Sequence, residues 1–154
     1  MNLTPEQLKK YRDKKYAALH KTAKEWFHKF IRLRDTDENG IGYCISSGRI
    51  VKYGTNNCQA GHFYPAGSFK SIEFNENNVH VQSLSDNYYR SANLNEYRPN
   101  LIKKIGQPEF DNLVYLAQLS KATRFKEDRF LMIEVIETYK VKVKELAKCK
   151  NFKI

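Results

Sequence analysis

Cys58-Gln59-Ala60-Gly61-His62-Phe63-Tyr64 and, after a loop, Asn78-Val79-His80-Val81-Gln82 form the stretch on which the reading of the fold turns. The first run is short, apolar and bounded by turn residues, so it predicts a strand with His62 near its end. In the second, Asn77-Asn78 has the chemistry of a helix cap and predicts a short helical segment through Val81 and beyond, with His80 at its start. Pro65-Ala66-Gly67 breaks the chain between them, and Phe69–Phe74 reads as a further extended piece.

Upstream, Ile41–Ile45 and Arg49–Tyr53 read as hairpin arms around Ser46-Ser47-Gly48. Asp35-Thr36-Asp37-Glu38-Asn39-Gly40 is a turn-rich linker; it lacks the downstream glutamate that a calcium loop needs. Before it, Thr4-Pro5-Glu6-Gln7 starts a helix with a hydroxyl cap and a first-turn proline. Leu8, Tyr11, Leu19, Ala23, Trp26, Phe30 and Leu33 continue that helix at helical spacing. Downstream, a helix begins at Asn93 or Asn95 and ends at Gly106, with Pro99 tolerated only in its first turn. Another runs from Pro108 through Leu119. The last spans about 127–148, with Phe130, Ile133, Ile136, Tyr139, Val143 and Leu146 on one face. The expectation is one compact α+β domain: a basic N-terminal helix over 1–34, a small core over 35–106 and a basic helical region over 107–154.

The chain has 154 residues and a formal net charge of +10. That length builds one modest core, not a large enzyme scaffold. Charge is uneven: residues 1–34 carry 10 basic and 3 acidic side chains, 121–154 carry 10 and 5, and the middle carries 7 and 9. Two basic arms around a near-neutral centre suit polyanion binding, although solvated lysine-rich helices have the same composition. No apolar run is long enough to span a membrane, and the polar N-terminus lacks a signal-peptide core, so a cytoplasmic protein is expected. Three cysteines at irregular spacing make no disulfide framework, and no C-x-x-C pair is present.

A strand-borne histidine facing an amide or imidazole suits metal-assisted phosphodiester hydrolysis. One imidazole deprotonates water, a divalent ion polarises the phosphate, and asparagine oxygens suit Mg²⁺ or Mn²⁺. Ordinary half-buried histidines would produce the same letters, and the residues alone leave both readings open.

The order of motifs resembles the NinG/Rap recombination family of lambda-like phages, itself similar to HNH, or His-Me finger, nucleases. The resemblance covers about 80 residues: Trp26-Phe27-His28-Lys29-Phe30-Ile31-Arg32-Leu33-Arg34-Asp35, Cys44-Ile45-Ser46-Ser47-Gly48, Ala60-Gly61-His62-Phe63, Asn78-Val79-His80-Val81-Gln82 with Asn87, Ser91-Ala92-Asn93-Leu94-Asn95-Glu96-Tyr97-Arg98, and Leu101-Ile102-Lys103-Lys104-Ile105-Gly106. It implies a ββα-metal, treble-clef-like core flanked by helices. It implies a metal-dependent endonuclease of phage recombination acting on branched DNA, with a homodimer suited to symmetric cutting. His62 is then the general base, Asn78 orients it or braces the finger, and His80 ligates metal or stabilises phosphate charge. Asn93 and Asn87 become metal ligands, with Mg²⁺ or Mn²⁺ as the ion. Arg90, Arg98, Lys103, Lys104, Arg32 and Arg34 become contacts to the DNA backbone. The family's zinc knuckle falls on Cys44, Ser47, Ser83 and Asp86, where one thiol remains of four. A version without structural zinc is therefore expected, held by packing of Tyr43, Phe63, Phe69, Phe74, Tyr88, Tyr89 and Trp26. Two other functions fit the charge pattern: a non-catalytic DNA-binding descendant, and a phage factor that binds an acidic host protein.

Overall fold

A computed structural model describes residues 3–152. Its elements are α1 (Pro5–Tyr11), α2 (Tyr16–Arg34), β1 (Ile41–Tyr43), β2 (Ile50–Lys52), β3 (Gln59–His62), β4 (Val79–Gln82), α3 (Leu94–Ile105), α4 (Gln107–Ala122) and α5 (Arg129–Cys149). The protein is α+β, with two separate two-stranded sheets. The chain divides into two compact units, Met1–Phe30 with Lys126–Ile154, and Ile31–Phe125.

In the first unit the expected N-terminal helix is two helices. Thr4 and Gln7 close a capping box at the start of α1. The helix stops near Arg12 because its terminal carbonyls find another donor. The Arg129 guanidinium bonds the carbonyls of Tyr11, Arg12 and Lys14 at 3.1, 3.1 and 2.8 Å. Phe27, absent from the expected stripe, is fully buried and meets the Tyr139 ring edge-on at 4.9 Å. Burying such a side chain stabilises a fold by about 1.5–3 kcal/mol. Trp26 is only half-buried, with the Lys29 and Lys140 ammoniums over its ring. Asp128 caps α5 by accepting from the amides of Phe130 and Leu131. On that helix Ile133, Ile136, Tyr139 and Val143 are buried as expected, whereas Phe130 is 65% exposed. It stands in the first turn, at the rim of an open groove with Leu8, Tyr11 and Ile133.

In the second unit Asp37 turns the chain by accepting from the amides of Asn39 and Ile41. β1 and β2 then pair antiparallel, Tyr43 opposite Ile50. β3 and β4 pair antiparallel, with Gly61 opposite His80 and His62 opposite Val79. The helix expected through Val81 is therefore a strand. Its ladder bonds go to β3, and all four of its residues are buried, which a two-sided strand achieves and a surface helix does not. Phe69–Phe74 is not extended either. It holds a single 3₁₀ turn at Lys70–Ile72, which carries Ile72 into the core.

α3 and α4 fold back on each other across Gly106, whose φ of 85° ends one helix, and Pro108 starts the next. Pro99 lies in the second turn of α3, not the first, leaving the Asn95 carbonyl without its helical donor on an exposed stretch. Phe63, Ile72, Tyr97, Leu101, Phe110, Leu113 and Ala117 form the larger core cluster. A smaller one gathers Cys44, Val51, Cys58 and Val81. Among the residues expected to replace zinc by packing, Phe63 is buried, but Tyr43, Tyr88 and Tyr89 are exposed. Cys44 packs in the smaller cluster, and the zinc-knuckle positions are joined by polar bonds as well.

Candidate functional site

His62 ends β3, and its Nε2 lies 3.0 Å from the Glu73 carbonyl oxygen. A carbonyl only accepts, so Nε2 carries the hydrogen and Nδ1 the lone pair. The loop supplying that carbonyl is braced by Asn78, which is fully buried. Its side-chain oxygen accepts from the Tyr64 amide at 2.8 Å. Its side-chain nitrogen donates to the carbonyls of Tyr64 and Ile72 at 3.0 and 3.2 Å.

His62 and Asn87 line one pocket of about 320 Å³ with Phe63, Pro65, Ser91, Ala92 and Leu94. Asn87 is half-buried there, and its side-chain amide has no hydrogen-bond partner among the described residues. The turn Ser91–Asn93, of which Ser91 and Ala92 line the pocket, is strained: all three residues have left-handed φ, at 49°, 66° and 47°. None is glycine, so each stores of order 1 kcal/mol or more. Two buried donors grip the middle carbonyl. Ala92 oxygen accepts from Ser46 Oγ at 2.9 Å and from Gln82 Nε2 at 2.7 Å.

Gln82 reaches Ala92 by crossing Gly61. A Cβ on Gly61 would stand 1.8 Å from Gln82 Oε1, which has no hydrogen-bond partner among the described residues. Gly61→Ala is therefore expected to dislodge Gln82 from both Ser46 and Ala92. A loss of about 1–3 kcal/mol in urea unfolding is the expected size, and truncating Gln82 in the same chain should recover part of it.

The four positions Cys44, Ser47, Ser83 and Asp86 converge on the Asp86 carboxylate, which is buried. Its Oδ2 accepts from Ser47 Oγ at 2.5 Å, Ser83 Oγ at 2.6 Å and Cys44 Sγ at 3.3 Å. Its Oδ1 accepts from Asn93 Nδ2 at 3.0 Å, with the Arg90 guanidinium 3.9 Å away. Burial pushes the Asp86 pKa up, but the bonds from Ser47, Ser83, Asn93 and Cys44 outweigh it and hold the pKa at about 2. This carboxylate organises the π-helical turn Ser85–Tyr89, which carries Asn87.

A second buried carboxylate, Asp35, ties α2 to β4 and α3. Arg34 Nε and Lys104 Nζ lie 2.8 and 3.2 Å from its Oδ1, and the Val81 amide donates to Oδ2 at 3.0 Å. Arg34 also bonds the carbonyls of Glu76 and Val79. His80 sits beside this group, 2% exposed and 3.4 Å from the Tyr97 hydroxyl. Burial pushes its pKa down to about 3, against the pull of Asp35. Asp35 is held at about 2, where Arg34 and Lys104 overcome its burial.

These shifts set a pH window. Unfolded His80 takes a proton near pH 6.5, whereas folded His80 resists it until about 3. Stability is thus expected to fall as pH drops from about 6.5, by up to roughly 1.4 kcal/mol per pH unit. Asp35 and Asp86 extend the loss from about 3.8 down to about 2. Urea titrations at pH 7, 5.5 and 4.5 check this, and His80→Gln should flatten the upper part of the profile.

The structure brings His62 and Asn87 together. His80 lies opposite Gly61 and so projects from the other face of the ribbon than His62. Asn93 is tied to Asp86, and Arg34 and Lys104 to Asp35. The Arg98 guanidinium lies over the Phe110 ring at 5.3 Å. Arg32 is half-buried and Lys103 exposed. Sequence reasoning missed Glu73, whose backbone acts and so leaves no letter to read. It also missed Asp35, hidden in a turn-like run, and Gln82. For Asp35 the adjacent Arg34 was the available signal.

The fold and site define an α+β protein that presents a carbonyl-oriented histidine at the end of a two-stranded ribbon, next to a helix entered through a strained turn. Residues 4–150 match the family described as Bacteriophage Lambda NinG protein, and the chain belongs to that family. Protein ninG of Escherichia phage lambda is 36% identical over 93 residues, covering 60% of this chain and 42% of that protein. Protein ninG of Enterobacteria phage VT2-Sa is 34% identical over 93 residues, covering 60% of this chain and 43% of that one. The matched region is thus less than half the length of these relatives. No solved structure is a significant match. Among the described residues no helix is long and apolar enough to cross a membrane.

Proposed function

We propose that this chain is a metal-dependent DNA endonuclease built on a ββα core of β3, β4 and α3, with His62 as general base. The observation that carries the reading is the shared pocket of His62 and Asn87, with His62 Nε2 bonded to the Glu73 carbonyl. In that tautomer Nδ1 accepts a proton from water as the water oxygen attacks phosphorus and the P–O bond to the leaving oxygen breaks. Asn78 acts by bracing the loop that aims His62. A bound Mg²⁺ or Mn²⁺ supplies polarisation of the phosphate and charge stabilisation of the leaving oxygen.

Toward such an ion the pocket offers a single hard donor and no carboxylate. Asn87 offers an amide oxygen, a hard donor, and its side chain is uncommitted among the described residues. No cluster of three His, Cys, Asp or Glu residues suited to a metal exists among the described residues, so an ion at Asn87 would have to take the rest of its shell from water and the phosphate. Zinc at Cys44, Ser47, Ser83 and Asp86 does not fit. The serine hydroxyls are not ionised at neutral pH, and each spends its proton on Asp86. In this reading a buried anion ringed by donors stands where the resemblance puts a cation ringed by thiolates.

The test is cleavage of labelled four-way junction, duplex and single-stranded DNA with Mg²⁺, Mn²⁺ or EDTA, beside His62→Ala. Metal-dependent cutting of branched DNA, lost in the variant, is expected. A second reading, a DNA-binding descendant without catalysis, draws on the lack of a carboxylate in the pocket lining. Tight binding without cutting in either metal would select it.

A further inference from the structure

Tyr88 and Tyr89 are 75% and 74% exposed, the two most exposed large hydrophobic side chains among the described residues. Their rings meet edge-on at 5.1 Å, so a ring face stays open. Aromatic side chains left in water forgo burial that a fold of this size needs, and tyrosine and arginine together mark binding surfaces. Three features say what covers these rings. They follow directly on Asn87 in the same π-helical turn, and Asn87 lines the pocket with His62 although the two rings do not. The turn is rigidly held: Asp86 is anchored by Ser47, Ser83 and Asn93, and the Leu84 amide by Asn57 Oδ1 at 3.1 Å. The next residue, Arg90, keeps its guanidinium half-exposed, a cation suited to a phosphate one nucleotide from a stacked base.

We propose that Tyr88 and Tyr89 form a stacking platform for unpaired bases of DNA, selecting substrates with locally open strands beside the scissile phosphate. This rests on the nuclease reading for its substrate, but its own content is base stacking. Stacking tolerates any base, because every base has a π face, and each stacked base is lost to an Ala substitution at a cost of about fivefold or more in affinity.

The test is binding of the full chain in EDTA, so that nothing is cut, to a labelled duplex and to the same duplex with a gap of unpaired thymines flanking one 2-aminopurine. Wild type should prefer the gapped DNA and quench the 2-aminopurine. Tyr88→Ala with Tyr89→Ala should lose at least about tenfold on gapped DNA, stay within about twofold on duplex, and abolish quenching. Tyr→Phe at both positions should behave as wild type, since the ring and not the hydroxyl stacks; Tyr→Leu should behave as alanine. Variants that bind gapped DNA like wild type, or that lose duplex binding equally, would overturn the proposal and leave the rings for a protein partner. Quenching without cutting in any metal would sink the nuclease reading alone. Cutting with no role for the tyrosines would sink this one alone.

Discussion

Alanine at His62 is expected to slow single-turnover DNA cleavage by about 10²–10⁴-fold while leaving DNA affinity within about twofold. The size follows from what the imidazole does. In the proposed mechanism it removes a proton in the transition state, so its loss would raise the barrier without changing ground-state contacts to the backbone. The bond between His62 Nε2 and the Glu73 carbonyl fixes the tautomer, and glutamine, which cannot act as a base at neutral pH, should not restore the rate. Added imidazole should restore part of it in His62→Ala, because the pocket of about 320 Å³ admits the small ring. Full activity in His62→Ala would end the general-base assignment.

The second large effect is on stability. Asp86→Ala is expected to destabilise the fold by about 3–5 kcal/mol. The variant strands four donors, from Cys44, Ser47, Ser83 and Asn93, around a space where an anion stood. Asp86→Asn should cost less, since the serine hydroxyls can rotate to accept from the new amide. If the hub holds no zinc, as proposed, EDTA should leave the unfolding midpoint of the wild-type chain unchanged. A chelator-induced drop in the midpoint would show that a metal holds this region after all. Since Asp86 also organises the turn bearing Asn87, any Asp86 variant that folds should, under the proposed function, lose metal-dependent activity in parallel.

Much of this protein was readable along the chain. The capping box at Thr4, the hairpin around Ser46-Ser47-Gly48, the strand ending at His62 and the helix stop at Gly106 are all local signals. Each depends on residues within a few positions of one another, so composition and spacing suffice. The failures have a common cause. Val79–Gln82 has capping residues before it and an ambiguous pattern, and only pairing with β3 makes it a strand. The break after α1 depends on Arg129, over a hundred residues away in sequence. Phe130 has the right period for the α5 core face but lies where that face runs out.

The same division separates the chemistry. The candidate site residues, His62, Asn78, Asn87 and the four positions from Cys44 to Asp86, stand in the sequence in the order that carried the family resemblance, and the match over residues 4–150 shows the family. Which of them act together was decided by the tertiary structure. The pleat of β3 and β4 sends His62 and His80 to opposite faces, and ion pairs commit Arg34 and Lys104 to Asp35. Hydrogen bonding turned a list of poor zinc ligands into a ring of donors around one carboxylate. A sequence specifies donors and acceptors, but which donor meets which acceptor is a matter of distance and direction, and those exist only once the chain has folded.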